Sequence, residues 1–105
     1  MKGLHMSTYV VTGQRARPDK ADELVAILTR ALPESLAHDG CEAIHLRRDQ
    51  DDPTHIVSFT QWATRQHYVD YLAWRTETGL TDEVGDMLTE PMSIEYFDDV
   101  VSVAR

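Results

Sequence analysis

The chain has 105 residues, 42% hydrophobic and 27% charged, proportions ordinary for one globular domain with its own core. Ten Lys and Arg stand against eighteen Asp and Glu, and a net charge of −8 argues against nucleic acid, whose binding needs a basic patch. No apolar run approaches the ~20 residues of a membrane span, no signal-peptide h-region opens the chain, and Cys41 alone cannot form an internal disulfide. The expectation is a single cytoplasmic domain over residues 7–105, with no nucleic-acid or membrane partner. Residues 1–6 carry no pattern and read as disordered or cloning-derived.

Thr8 to Ala16 reads as a strand, because Tyr9, Val10 and Val11 favour extended backbone. Gly13 inside it predicts a bulge or a close approach by another group. Arg17-Pro18-Asp19 punctuates the chain, with Asp19 as the expected helix N-cap. Leu24, Ile27, Leu28, Ala31 and Leu32 then follow the spacing of an amphipathic helix. Pro33 is expected to kink or interrupt it, Leu36 to resume its apolar side, and Gly40 to stop it.

Cys41 to Arg48 alternates, which predicts Cys41, Ala43 and His45 on one face and Ile44 and Leu46 on the other. Asp49 to Pro53 is a turn by composition, and His55 to Trp62 alternates again, so the two runs form an antiparallel hairpin. Val57 and Phe59 share one face; Ile56, Ser58, Thr60 and Trp62 share the other. Thr64 can cap a second helix with Tyr68, Tyr71, Leu72 and Arg75 inward, ended or bent at Gly79. Leu80, Val84, Met87 and Leu88 predict a third helix. Met92, Ile94 and Tyr96 begin a last strand, which Asp98-Asp99 interrupts before Val100, Val101 and Val103.

The order β-α-β-β-α-(α)-β is the split βαβ, ferredoxin-like arrangement of an α+β fold, with helices on one face of an antiparallel sheet. Apolar residues on the opposite face have no further element to cover them. That predicts a homodimer packed sheet to sheet.

Arg17-Pro18-Asp19-Lys20 with Asp22-Glu23-Leu24, then Asp39-Gly40-Cys41, Arg48 to Pro53 and Phe59-Thr60-Gln61-Trp62, resembles the antibiotic biosynthesis monooxygenase family in order and spacing. The resemblance spans roughly residues 8 to 104 and implies a dimeric α+β barrel. Some members oxidise polycyclic phenols or anthrone-like polyketides to quinones with O2 and neither metal nor flavin; others degrade haem or isomerise small metabolites. Against the phenol-oxidising members, Trp62 matches the strand-end Trp and Tyr68 the Tyr six positions later. Ser58 stands where those members carry Asn, and a second Asn, on the first strand, is absent near Thr12-Gly13. The positions that haem degradation requires are filled here by Thr12, Tyr71 and Thr81, so that reading is set aside.

The resemblance therefore implies a monooxygenase acting without a cofactor on an aromatic or polyketide-like phenol and O2. Trp62, Tyr68 and Ser58 would serve as hydrogen-bond donors and His67 as a base, since His titrates near neutrality. Thr60, Tyr71, Arg75 and Gly13 would contact substrate. The histidines have no metal-ligand spacing, so no metal is expected; His45 and His55 read as surface or cross-strand neighbours. Two other readings use the same pocket: isomerisation or C–C cleavage of a small metabolite, and ligand binding without catalysis.

Overall fold

A computed structural model of the chain describes residues 6–105. Most of the expectation placed on residues 1–6 therefore lies outside the described residues; Met6 itself is largely exposed. Strands β1 (Thr8–Arg15), β2 (Cys41–Arg48), β3 (His55–Trp62) and β4 (Ser93–Asp98) form one antiparallel sheet in the order β2-β3-β1-β4. Helices α1 (Ala21–Ala37), α2 (Arg65–Thr78) and α3 (Leu80–Gly85) complete a ferredoxin-like α+β fold.

Local chemistry sets the element ends. Thr64 caps α2 by accepting the His67 backbone N–H, and Gly79, at φ 90°, supplies the left-handed turn that closes it. Gly40, at φ 84°, turns the chain from α1 into β2, and the His67 ring lies where a Cβ would stand. Gly13 sits in continuous register between Val57 and Ser93, with no bulge. A Cβ there would meet Ser93 Oγ at 2.7 Å, so close approach is what this glycine permits.

Several local expectations are corrected. Asp19 does not cap α1: Pro18–Lys20 form a 3₁₀ turn and Lys20 takes the N-cap position without a side-chain bond. The irregularity falls in β2, where Cys41 pairs with Trp62 and Ala43 with Gln61. Glu42 is the extra residue, so Cys41 joins the helix-side cluster while Ala43 and His45 face the other way. His45 pairs with Phe59, and His55 turns to Asp49 instead. Met87 and Leu88 lie beyond α3, and Leu36 is exposed. Val100, Val101 and Val103 form no strand and are exposed.

Pro33 does not interrupt α1, which runs unbroken to Ala37. The reason lies across the helix pair. Ser35 Oγ donates to Ala31 O, and the Tyr71 hydroxyl and Ser35 Oγ lie 2.7 Å apart. From α2, Arg75 donates through Nη2 to Ala31 O at 3.0 Å and to Ser35 Oγ at 2.9 Å, and through Nε to Tyr71 at 3.1 Å. These bonds grip α1 on both sides of Pro33 and offset the helical bond that its missing N–H forfeits.

The core divides in two. Ala16, Ala21, Leu24, Ile27, Ile56, Val84 and Met87 form one buried cluster, and Val10, Trp62 and Tyr68 form the other. Between them the helix-facing side of β1 and β3 carries Thr12 opposite Ser58, Gln14 beside them, and Thr60 opposite Val10. The alternation that puts Val10 and Ile56 inward also puts this polar stripe inward.

These bonds make two expectations measurable. Ser35→Ala removes one bond from Arg75 Nη2 and one from the Tyr71 hydroxyl, while Nη2 keeps Ala31 O and the hydroxyl keeps Arg75 Nε, and should cost about 1 kcal/mol in urea denaturation. The substitution Glu34→Gln, on the exposed neighbouring side chain, should leave the urea midpoint nearly unchanged. The Asp49 carboxyl is held below its ordinary range, first by the His55 imidazole at 3.0 Å and then by the Asp51 N–H. Its contribution to stability is present above the ordinary carboxylate value and is lost as pH falls through the lowered one. The Tm of Asp49→Asn should therefore fall less steeply than that of the parent on the acid side.

Candidate active site

The gap between the two core clusters is a cavity of about 410 Å³, open to solvent on one side and bounded by the helix-facing side of the sheet and by α1, α2 and α3. Its floor is the stripe of Thr12, Gln14, Ser58 and Thr60, with Ile44 and Trp62 beside it. Its roof is largely apolar on α1 and α3 and aromatic on α2, where Tyr68, Tyr71 and Arg75 recur at helical spacing on one face. Such a volume, mostly apolar with a few convergent polar groups, is the usual form of a small-molecule site.

The polar groups differ in what they have left to offer. The Trp62 side chain is 1% exposed and its indole N–H donates to Thr60 Oγ1 at 2.9 Å. Thr60 in turn donates to Val10 O at 2.9 Å. Both therefore form a closed relay in the wall. The hydroxyls of Ser58 and Tyr68 line the cavity and have no hydrogen-bond partner among the described residues. Burial raises the Tyr68 pKa, with smaller contributions from Tyr96 and Tyr71, so the phenol keeps its proton. It is a donor, not a base. Tyr68 is fixed by edge contacts with Trp62 and Tyr96, at ring-centroid distances of 5.6 and 5.9 Å.

Six of the residues expected from the sequence meet at this cavity: Ser58, Thr60, Trp62, Tyr68, Tyr71 and Arg75. Two stand elsewhere. Gly13 points to the opposite face of the sheet, because Thr12 and Gln14 on either side of it face the cavity. His67 lies outside the cavity lining, its Nδ1 at 2.7 Å from Thr64 Oγ1 and its Nε2 at 3.6 Å from Asp39. The first turn of α2 carries it to the α1–β2 corner, against Gly40.

Sequence reasoning missed Thr12, Gln14 and Ser35 as cavity residues. Each had a signal: Thr12 and Gln14 alternate with Val10, and Ser35 follows Ile27 and Ala31 at four-residue steps on the apolar side of α1. Among the described residues no three His, Cys, Asp or Glu side chains converge as a metal site, and no helix is long and apolar enough to cross a membrane.

The chain matches the family described as antibiotic biosynthesis monooxygenase over residues 7–78. No curated protein matches it. Among solved structures it is similar to a conserved protein from Methanosarcina mazei, with a TM-score of 0.80 at 14% identity over 89% of this chain and 92% of that one. It is also similar to a Streptomyces coelicolor monooxygenase from the gene ActVA-Orf6, solved with the ligand nanaomycin D. That TM-score is 0.80 at 18% identity, over 96% of this chain and 94% of the other. Likeness at these identities carries the fold, and the match over residues 7–78 carries the family: the chain belongs to the antibiotic biosynthesis monooxygenase family.

Proposed function

We propose that the chain is a cofactor-independent monooxygenase that oxidises an aromatic or polyketide-like phenol with O2 to a quinone, as a cytoplasmic homodimer. The observation that carries this reading is the pair of hydroxyls, Ser58 and Tyr68, that have no hydrogen-bond partner among the described residues, in a cavity walled by aromatic and aliphatic side chains. The nanaomycin D held by the similar Streptomyces coelicolor monooxygenase supports a small-molecule ligand for this fold.

In this chemistry the substrate does the covalent work. The phenol or activated methylene loses a proton, and the resulting anion passes one electron to O2. The two radicals combine through a new C–O bond to a peroxide. Loss of water from that peroxide leaves a carbonyl, so one oxygen atom stays in the quinone and the other departs in water. Ser58 and Tyr68 donate to the substrate oxygen on which negative charge gathers, Trp62 and Tyr71 hold the ring plane, and the apolar roof keeps water from competing for those bonds. His67 stands outside the lining, so the proton passes to water at the cavity mouth or to the rim carboxylate of Glu90.

The dimer reading rests on the opposite face of the sheet. Phe59 is 39% exposed and Phe97 47%, and Tyr9, Val11, Ala43, His45 and Phe59 line a shallow hollow there. Apolar surface of this kind is covered most simply by a second copy around a two-fold axis.

Two experiments test the proposal. Purified, chelator-treated protein given an anthrone should consume O2 well above the heat-inactivated background while quinone absorbance rises. Ser58→Ala and Tyr68→Phe should each lower kcat about 10²-fold with the Tm little changed. A flat trace from a protein that still binds the anthrone would replace the reaction with a ligand-binding role. In sedimentation velocity the parent should run as a dimer and Phe59→Glu as a monomer; a parent that stays monomeric at high concentration removes the sheet-face dimer.

A further inference from the structure

Gln14 is 3% exposed and lines the cavity beside Thr12 and Met92. Its amide is only half used. Nε2 donates to Thr12 Oγ1 at 3.4 Å and to Met92 Sδ at 3.2 Å, the first a long bond and the second to a weak acceptor. Oε1 is shut from solvent and accepts no hydrogen bond among the described residues. Ile56, its partner across the sheet, and Ala16, two residues on in the chain, both belong to an apolar core cluster. In that setting a buried carbonyl without a donor costs more than an apolar side chain of similar size. Packing alone favours an apolar residue at this position.

We propose that Gln14 is a specificity-determining residue, whose carbonyl receives a hydroxyl that a fused-ring substrate carries at the end remote from Tyr68. The inference rests on the reading of the cavity as the substrate site and names a second polar group on the ligand. Tyr68 packs with Val10 at one end of the floor. Gln14 lies four residues along β1 from Val10, or ~13 Å at the rise of a strand, at the other end. Tyr68 and Ser58 offer O–H donors, so they select an acceptor; Gln14 Oε1 has only lone pairs, so it selects a donor. The two ends together fix which way round a ligand lies. Met92, just before β4, touches the amide at the cavity lining, and its unbranched thioether swings aside as a ligand hydroxyl arrives. The last torsion of a glutamine is soft, so the carbonyl turns to meet that hydroxyl.

The test is a titration of the intact protein, followed by tryptophan fluorescence, with 2,6-dihydroxyanthraquinone and with 2-hydroxyanthraquinone, which lacks the second hydroxyl. Both are already quinones, so no turnover intrudes. The diol should bind about tenfold tighter, although it is the less apolar of the two. Gln14→Leu should reverse the preference. It should also lower the Tm of the free protein by no more than about 4 °C, the mark of one satisfied hydrogen bond. A larger fall, or a variant that does not fold, assigns the amide to the fold and overturns the inference. So does a preference of about twofold or less in the parent, which the symmetry of the diol alone supplies, or one that survives in Gln14→Leu. If neither quinone binds at about millimolar concentration, the cavity reading falls together with this inference. Because the titration scores binding alone, preference for the diol without oxygenation of an anthrone defeats the proposed reaction and spares this inference. Oxygenation with no such preference does the reverse.

Discussion

The structure depends on a polar stripe in the middle of a face that should be core. Thr12, Gln14, Ser58 and Thr60 point at the helices between two apolar clusters, and a sheet cannot bring those clusters together across hydroxyl and amide groups without leaving them unpaired. The core therefore closes at each end and stays open between. What is left is a cavity of about 410 Å³ whose floor is polar and whose roof is not.

An open core needs its roof held by something other than packing. The Arg75, Tyr71, Ser35 and Ala31 network does this, and it crosses from α2 to α1 at the helix turn that Pro33 weakens. The same side chains line the cavity. Support and recognition thus share one set of atoms, a coupling expected where a site is built inside the layer that holds the fold together. The relay from Trp62 through Thr60 to Val10 plays the matching part on the floor, since it satisfies the indole within the wall and leaves Ser58 and Tyr68 to face a ligand.

The two faces of the sheet divide the work. The helix side carries the cavity, and the other side presents Tyr9, Val11, Phe59 and Phe97 with no helix of the described residues over it. Strand alternation makes the division unavoidable. Each β1 residue that lines the cavity is flanked by residues on the open face, and this is why Gly13, next to two cavity residues in the chain, stands on the far side of the sheet from them.

The order of elements, the hairpin from Cys41 to Trp62, the Thr64 cap and the Gly79 stop were legible in the sequence, because period, caps and turn residues are local properties. So was the inward set of Ser58, Thr60, Trp62, Tyr68, Tyr71 and Arg75, which alternation and helical spacing define without reference to the rest of the chain. The bulge at Glu42 was not legible, since it concerns the pairing of Cys41 and Ala43 with another strand. Nor was the unbroken helix through Pro33, which local propensity forbids and the contacts from α2 sustain. His67 looked like a base because of its chemistry, yet the direction of the first turn of α2 places it against Gly40 and outside the cavity. Sequence by itself determined which residues share a face; only tertiary structure decided which faces meet, because that depends on partners many residues away and on the hydrogen bonds each side chain finds there.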